Sequence, residues 1–154
     1  MNSQDAWVIL VLVVGAGFLG WQGYRSWKRT REMRALGARL AMDYAEDALP
    51  NSLQFDGTSL ANAHAVRHVV DGVHDTIRIV AFDCRLGWGR GSWEQTVIAV
   101  ECGKDIHQAL SLSTDYMLER SGGWQLFFEP SGRSVMPIEE LEAHIKNVES
   151  VLKN

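Results

Sequence analysis

Residues 76–102 read TIRIVAFDCRL (76–86), GWGRGS (87–92) and WEQTVIAVEC (93–102), two runs of β-branched and aromatic residues flanking a glycine-rich reversal. Strands and the turn between them require that composition. In the first arm Ile77, Ile79, Ala81 and Asp83 alternate with Arg78, Val80, Phe82 and Cys84. Neither set is fully polar, so this strand is predicted to be central, with both faces covered. Counting back from the turn sets Cys84 opposite Gln95 and Cys102 opposite Ile77. The cysteines are then badly placed to bond, since a disulfide needs Cα atoms within about 7 Å. Two free, buried thiols fit a reducing compartment.

Working outward, Val66 to Val73 repeats the strand composition, and Leu40 to Tyr44 offers a first short strand. Residues 47–62 are rich in turn formers. Leu110 to Ser113 and Trp124 to Glu129 are further strand candidates, split by the turn Ser121-Gly122-Gly123, and Pro130-Ser131-Gly132-Arg133 forms another turn. The tail reads as a helix. Pro137 stands at its start, and Glu139, Glu140 and Glu142 occupy its first turns, where the helix dipole favours anions. Ile138, Leu141, Ile145, Val148 and Leu152 form one apolar stripe, and Lys153 closes the end. The expected fold over 40–154 is α+β: a mostly antiparallel sheet of roughly five to seven strands with a C-terminal helix packed on one face.

Ahead of this domain, Ala6 to Trp21 reads AWVILVLVVGAGFLGW, sixteen residues without a charge, and extending the run to Tyr24 admits only Gln22 as a strongly polar residue. As a helix it spans roughly 24–28 Å, against a hydrocarbon core of about 30 Å. Trp7 at one end and Trp21, Tyr24 and Trp27 at the other resemble an interfacial belt, while Arg25, Lys28 and Arg29 reach headgroups. A cleaved signal peptide places its positive charge before the apolar run, not after it. An interfacial helix needs a polar face, and this run has none.

Charge then orients the chain. Residues 1–24 carry one acid, 25–34 carry five bases against one acid (+4), and 35–154 carry ten bases against seventeen acids (−7), which together give the overall −4. The positive-inside rule puts residues 1–5 outside, 6–24 in the inner (plasma) membrane as a single span, 25–39 as a basic helical stem, and 40–154 in the cytoplasm. Membrane lipid is thus the partner of residues 6–29. The acidic domain repels phosphate backbones, which argues against nucleic acid. Ala16 and Gly20 make one small-xxx-small pair that would allow, without requiring, a homodimer.

The run Ala81-Phe82-Asp83-Cys84-Arg85-Leu86, the Gly87-x-Gly89 turn and Glu94-Gln95-Thr96-Val97 resemble a strand–turn–strand signature of uncharacterised bacterial membrane-anchored proteins. Those read F-D-Y-x-Y, then G-x-G, then Q-T-V. The segment Trp124 to Phe128 and the helix beginning Pro137-Ile138-Glu139-Glu140-Leu141 resemble that family's closing strand and helix. This chain departs in having Cys84 and Leu86 where aromatics are usual, and Ser113-Thr114-Asp115 where a Pro-Glu segment follows. The resemblance implies the architecture and no chemistry.

Each chemical candidate has an ordinary counterpart. His64 and His68 lie four apart, with His74, Asp71 and Asp75 nearby, but no H-E-x-x-H or C-x-x-C spacing joins them, and exposed polar residues on a hairpin account for them. A nucleophilic reading pairs Cys84 or Cys102 with a histidine and Asp83, although nothing in the sequence converges them. Glycines 87, 89 and 91 beside Arg85 and Arg90 suit an anion, yet a phosphate loop leads into a helix and this one leads into a strand. Trp88 is the sharpest candidate. Between Arg85 and Arg90 it is either a partner anchor or a lid folded over the glycines and the sheet edge. The first expectation is therefore a membrane-tethered, non-catalytic interaction domain or small subunit of a membrane complex, with no cofactor. A small-ligand or lipid-headgroup sensor is the alternative, and an enzyme comes third.

Overall fold

The computed structural model describes residues 3–74, 76–102, 116–129 and 135–152. The strand expected at Leu110–Ser113, the turn at 130–133 and Lys153 lie outside them. The chain divides into two compact units, Met1–Glu32 and Met33–Asn154.

Helix α1 runs from Ser3 to Leu40. Among the described residues it is the one helix long and apolar enough, by length and composition, to cross a membrane. In the first unit Tyr24 packs between Trp21 and Trp27, with centroids 6.4 and 6.1 Å away, and the Arg31 guanidinium lies 5.7 Å from the Trp27 ring centroid. Lys28 pairs with Glu32 at 3.6 Å.

The second unit begins at Met33, not at Leu40, so the expected solvated stem is divided. Met33, Leu36 and Leu40 recur at helical spacing and are buried in the core. The helix ends where Ala41 takes a left-handed φ of 53° and the Met42 N–H donates to the Gly37 carbonyl at 2.9 Å, the geometry of a Schellman cap. Leu40 closes this helix, and the first strand, β1, is Asp43–Ala45.

Strands β2 (His64–His74), β3 (Ile77–Leu86), β4 (Trp93–Glu101), β5 (Met117–Ser121) and β6 (Trp124–Phe128) follow, and helix α2 (Ile138–Leu152) closes the unit. The six strands form one sheet in the order β1-β2-β3-β4-β6-β5, every pair antiparallel. The β3–β4 register sets Cys84 opposite Gln95, and Arg78 opposite Glu101 puts Ile77 at the level of Cys102, as the turn dictates.

β3 is buried on both faces. Ile79 and Ala81 join Met33, Leu36, Leu40, Leu141, Ile145 and Val148 beneath the two helices. Val80, Phe82 and Cys84 face Leu53 and Leu60, with Leu49 and Phe55 packed alongside. The second cover is thus the turn-rich connection between β1 and β2. The helices are held by more than apolar contact. Both Arg39 Nε and Nη2 donate to Glu142 Oε2, at 3.0 and 2.6 Å, and Lys146 donates to Glu142 Oε1 at 2.8 Å. These two cations, Lys146 first, hold the Glu142 carboxyl below its ordinary pKa.

Leu36→Asp in α1 and Leu141→Asp in α2 should each unfold the domain, since either buries an unpaired carboxylate in the same layer at a cost of several kcal/mol. Circular dichroism of the full chain in micelles checks this. A Leu36→Asp protein that melts like the parent would mean that α1 stops short of the core.

Candidate functional site

The sheet end where β3 turns into β4 gathers most of the chain's unusual groups. The reversal needs glycine. Gly87 has φ 75°, and a Cβ there would lie 3.0 Å from the Gly91 carbonyl oxygen and 3.2 Å from Trp93 Cζ3. Trp93, not Trp88, therefore closes over the glycine. Residues Gly89–Gly91 form a short 3₁₀ turn capped by the Ser92 hydroxyl, which donates to the Gly89 carbonyl at 2.9 Å. Arg85 donates to Glu94 across the hairpin at 2.9 Å. Arg90 lies in the 3₁₀ turn, and its side chain is outside the described residues.

Trp88 is 78% exposed and is braced by a neighbour. The His64 ring, from β2, lies parallel to it at 4.4 Å between centroids and 5° between planes. Stacking on an imidazole fixes the indole's direction while leaving most of its surface open.

Below this ledge lies a group the sequence reading did not assemble. β2 carries two register shifts against β3, between His64 and Arg67 and between Arg67 and Val70, and both Ala65 and His68 have positive φ, 48° and 55°. Such bulges re-aim side chains. Here they turn His68 inward, away from the surface position expected for it, while His64 stays at the strand's outer end. His68 is buried rather than exposed, with Nδ1 3.1 Å from Asp83 Oδ2. The Thr96 hydroxyl donates to Asp83 Oδ1 at 2.6 Å and accepts the Met136 N–H at 3.0 Å. His74 is likewise half-buried rather than surface-exposed, its Nε2 3.3 Å from Glu149 Oε1 of α2.

An Asp–His pair is the orienting half of an acid–base apparatus, and Cys84, Thr96 and Cys102 are nucleophile candidates among the described residues. Cys84 follows Asp83 in β3, so its side chain belongs to the opposite face. Burial, reinforced by the Asp83 charge, pushes its thiol up to about 12, far from a thiolate nucleophile. The Thr96 hydroxyl is spent on Asp83 and Met136. Cys102 packs with the helix-covered core, and Cys84 and Cys102 are not joined by a disulfide. Among the described residues no three His, Cys, Asp or Glu side chains converge as metal ligands. The His68–Asp83–Thr96 chain joins β2, β3, β4 and the lead into α2. No protein-family model matches the chain, and no curated protein or solved structure matches it.

Removing Asp83 strands two buried groups. Asp83→Ala should cost about 2–4 kcal/mol, and Asp83→Asn, which keeps shape and one acceptor oxygen, clearly less. Urea unfolding of both variants measures the difference, and equal midpoints would dismiss the clamp.

Proposed function

We propose that this chain is a membrane-tethered, non-catalytic docking domain that holds a protein partner through the tip of its β3–β4 hairpin. The observation that carries the tether is the state of α1. Of the large apolar side chains between Trp7 and Trp27, the least exposed, Leu10, is still 51% exposed. A surface this apolar around the whole circumference of a helix needs a non-aqueous solvent, and its length suits a bilayer core. Trp7 on one side and Trp21, Tyr24 and Trp27 on the other match the interfacial belt, and Arg25, Lys28 and Arg29 follow it. The charge asymmetry supports a single span of the inner membrane with residues 1–5 outside and the α+β domain in the cytoplasm, where Cys84 and Cys102 persist without a disulfide between them.

A reporter that is active only outside the cytoplasm, fused after Asn154, should be silent, and one active only inside should be bright. The reverse pattern would invert the topology and remove the account of the thiols.

What supports docking at the tip is the pairing of high exposure with a fixed direction at Trp88. A tryptophan braced by a neighbouring ring is already ordered, so it gives up little entropy on binding. A central tryptophan anchor contributes about 2–4 kcal/mol. Trp88→Ala should therefore leave the melting temperature within about 2 °C and cut capture of a protein partner by a photocrosslinker at position 90 at least about tenfold. If Trp88 instead serves the fold, the same change lowers stability by roughly 1–3 kcal/mol and leaves crosslinking intact. Crosslinks to lipid alone would favour a headgroup sensor.

A further inference from the structure

His144 occupies the helix-covered layer in a setting that none of the foregoing uses. It is 8% exposed and sits on the α2 face that meets the sheet. Its ring meets Tyr116 edge-on, 4.9 Å between centroids at 70°, and Phe127 of β6 at 5.3 Å and 62°. Tyr116 and Phe127 are themselves stacked at 4.7 Å, so the imidazole is wedged against an aromatic pair. One turn back on the helix, Glu140 Oε1 accepts the Tyr116 hydroxyl and lies 3.7 Å from His144 Nε2.

The two ring nitrogens are in unequal positions. Nε2 faces the Glu140 carboxylate, which places the neutral ring's hydrogen there. Nδ1 is buried and has no hydrogen-bond partner among the described residues. An added proton must therefore go to Nδ1, where a charged N–H would sit against aromatic rings with no acceptor among the described residues. Among the described residues, the charged or titratable groups facing the ring are Glu140 from α2 itself and Tyr116 from the lead into β5; β6 presents Phe127. Glu140 is one-sided compensation, because it meets the nitrogen that is already protonated.

We propose that His144 is an acid-release latch: neutral, it closes the N-terminal half of α2 onto β6, and protonated, it lets that half lift and uncover Tyr116, Phe127 and Leu118. At the other end of the helix the His74 ring Nε2 lies 3.3 Å from Glu149 Oε1. The sign follows from linkage. Burial lowers the His144 pKa below the 6.5 of an unfolded chain, with Glu140 opposing. The folded state thus binds fewer protons, and its stability is full above 6.5 and falls as pH drops below it.

The test uses the full chain in phosphatidylcholine nanodiscs, with hydrogen exchange corrected for its intrinsic pH dependence. Between pH 7.5 and 5, residues 138–147 should lose at least about tenfold in protection while β3 and β4 keep theirs. His144→Phe, which fills the aromatic wedge without a titrating group, should flatten that response. Glu140→Gln, which still accepts from Tyr116 but removes the compensating charge, should steepen it. If α2 and the central strands lose protection together, the effect is global unfolding and the latch is wrong. A His144→Phe response as steep as the parent's, or a Glu140→Gln response shallower than it, would also overturn the proposal. Should His144→Phe fail to fold, the sign of the Glu140→Gln change decides alone.

Discussion

The architecture follows from one constraint: strand β3 has no side that water can wet. Ile79 and Ala81 point one way and Val80 and Phe82 the other, and all four are fully buried. A sheet centred on such a strand needs two covers, and this chain supplies two of different kinds. One is a pair of helix segments, Met33–Leu40 and α2, linked to each other through Arg39 and Glu142. The other is the connection between β1 and β2, which has no regular structure of its own but delivers Leu49, Leu53, Phe55 and Leu60 onto the sheet. It keeps its shape through short local bonds, such as the Thr58 hydroxyl donating to the Phe55 carbonyl at 2.7 Å.

Where each strand met a plain rule, the sequence was legible. The β3–β4 register followed from a turn with glycine at the positions that need positive φ, and α2 followed from its apolar stripe. β5 is not legible in the sequence because Met117-Leu118-Glu119-Arg120 is made of residues that favour helix, and tertiary pairing with β6 overrides that preference. The stem differs from its expectation for another reason: its five bases suggest a solvated helix, while Met33, Leu36 and Leu40 carry the burial signal at ordinary helical spacing. Leu49, Leu53, Phe55 and Leu60 stand as apolar punctuation in a turn-rich stretch, and a strand apolar on both faces requires a second cover.

The groups at the turn end divide on the same lines. Trp88 between glycines is conspicuous in a sequence, but its brace is not, since nothing local ties residue 88 to residue 64. The pairing of His68 with Asp83 is not legible in the sequence, because the bulges that join them form at Ala65 and His68, neither of which is the glycine that marks such a site. A buried polar chain of this kind fixes one arrangement of the elements it joins, and its cost is met only while every member keeps its partner.

The two core layers also differ in what they are made of. Beneath the helices the filling includes Met33, Met42 and Met136, unbranched thioethers that adapt to the space left to them, although Gly72 leaves room for Met42 only by lacking a Cβ, which would fall 2.5 Å from its Cγ. Beneath the loop the filling includes Phe82, Trp124 and Phe128, with the Phe55 and Phe82 rings 5.8 Å apart. Related sequences should then diverge unequally. The methionines under the helices can trade volume with one another and drift. The rings, where shape must match shape, change only by coordinated replacement, so a lineage of this domain would be recognised by Phe82, Trp124 and Phe128 under the loop and by the stacked Tyr116 and Phe127 under the helices long after its methionines had turned over.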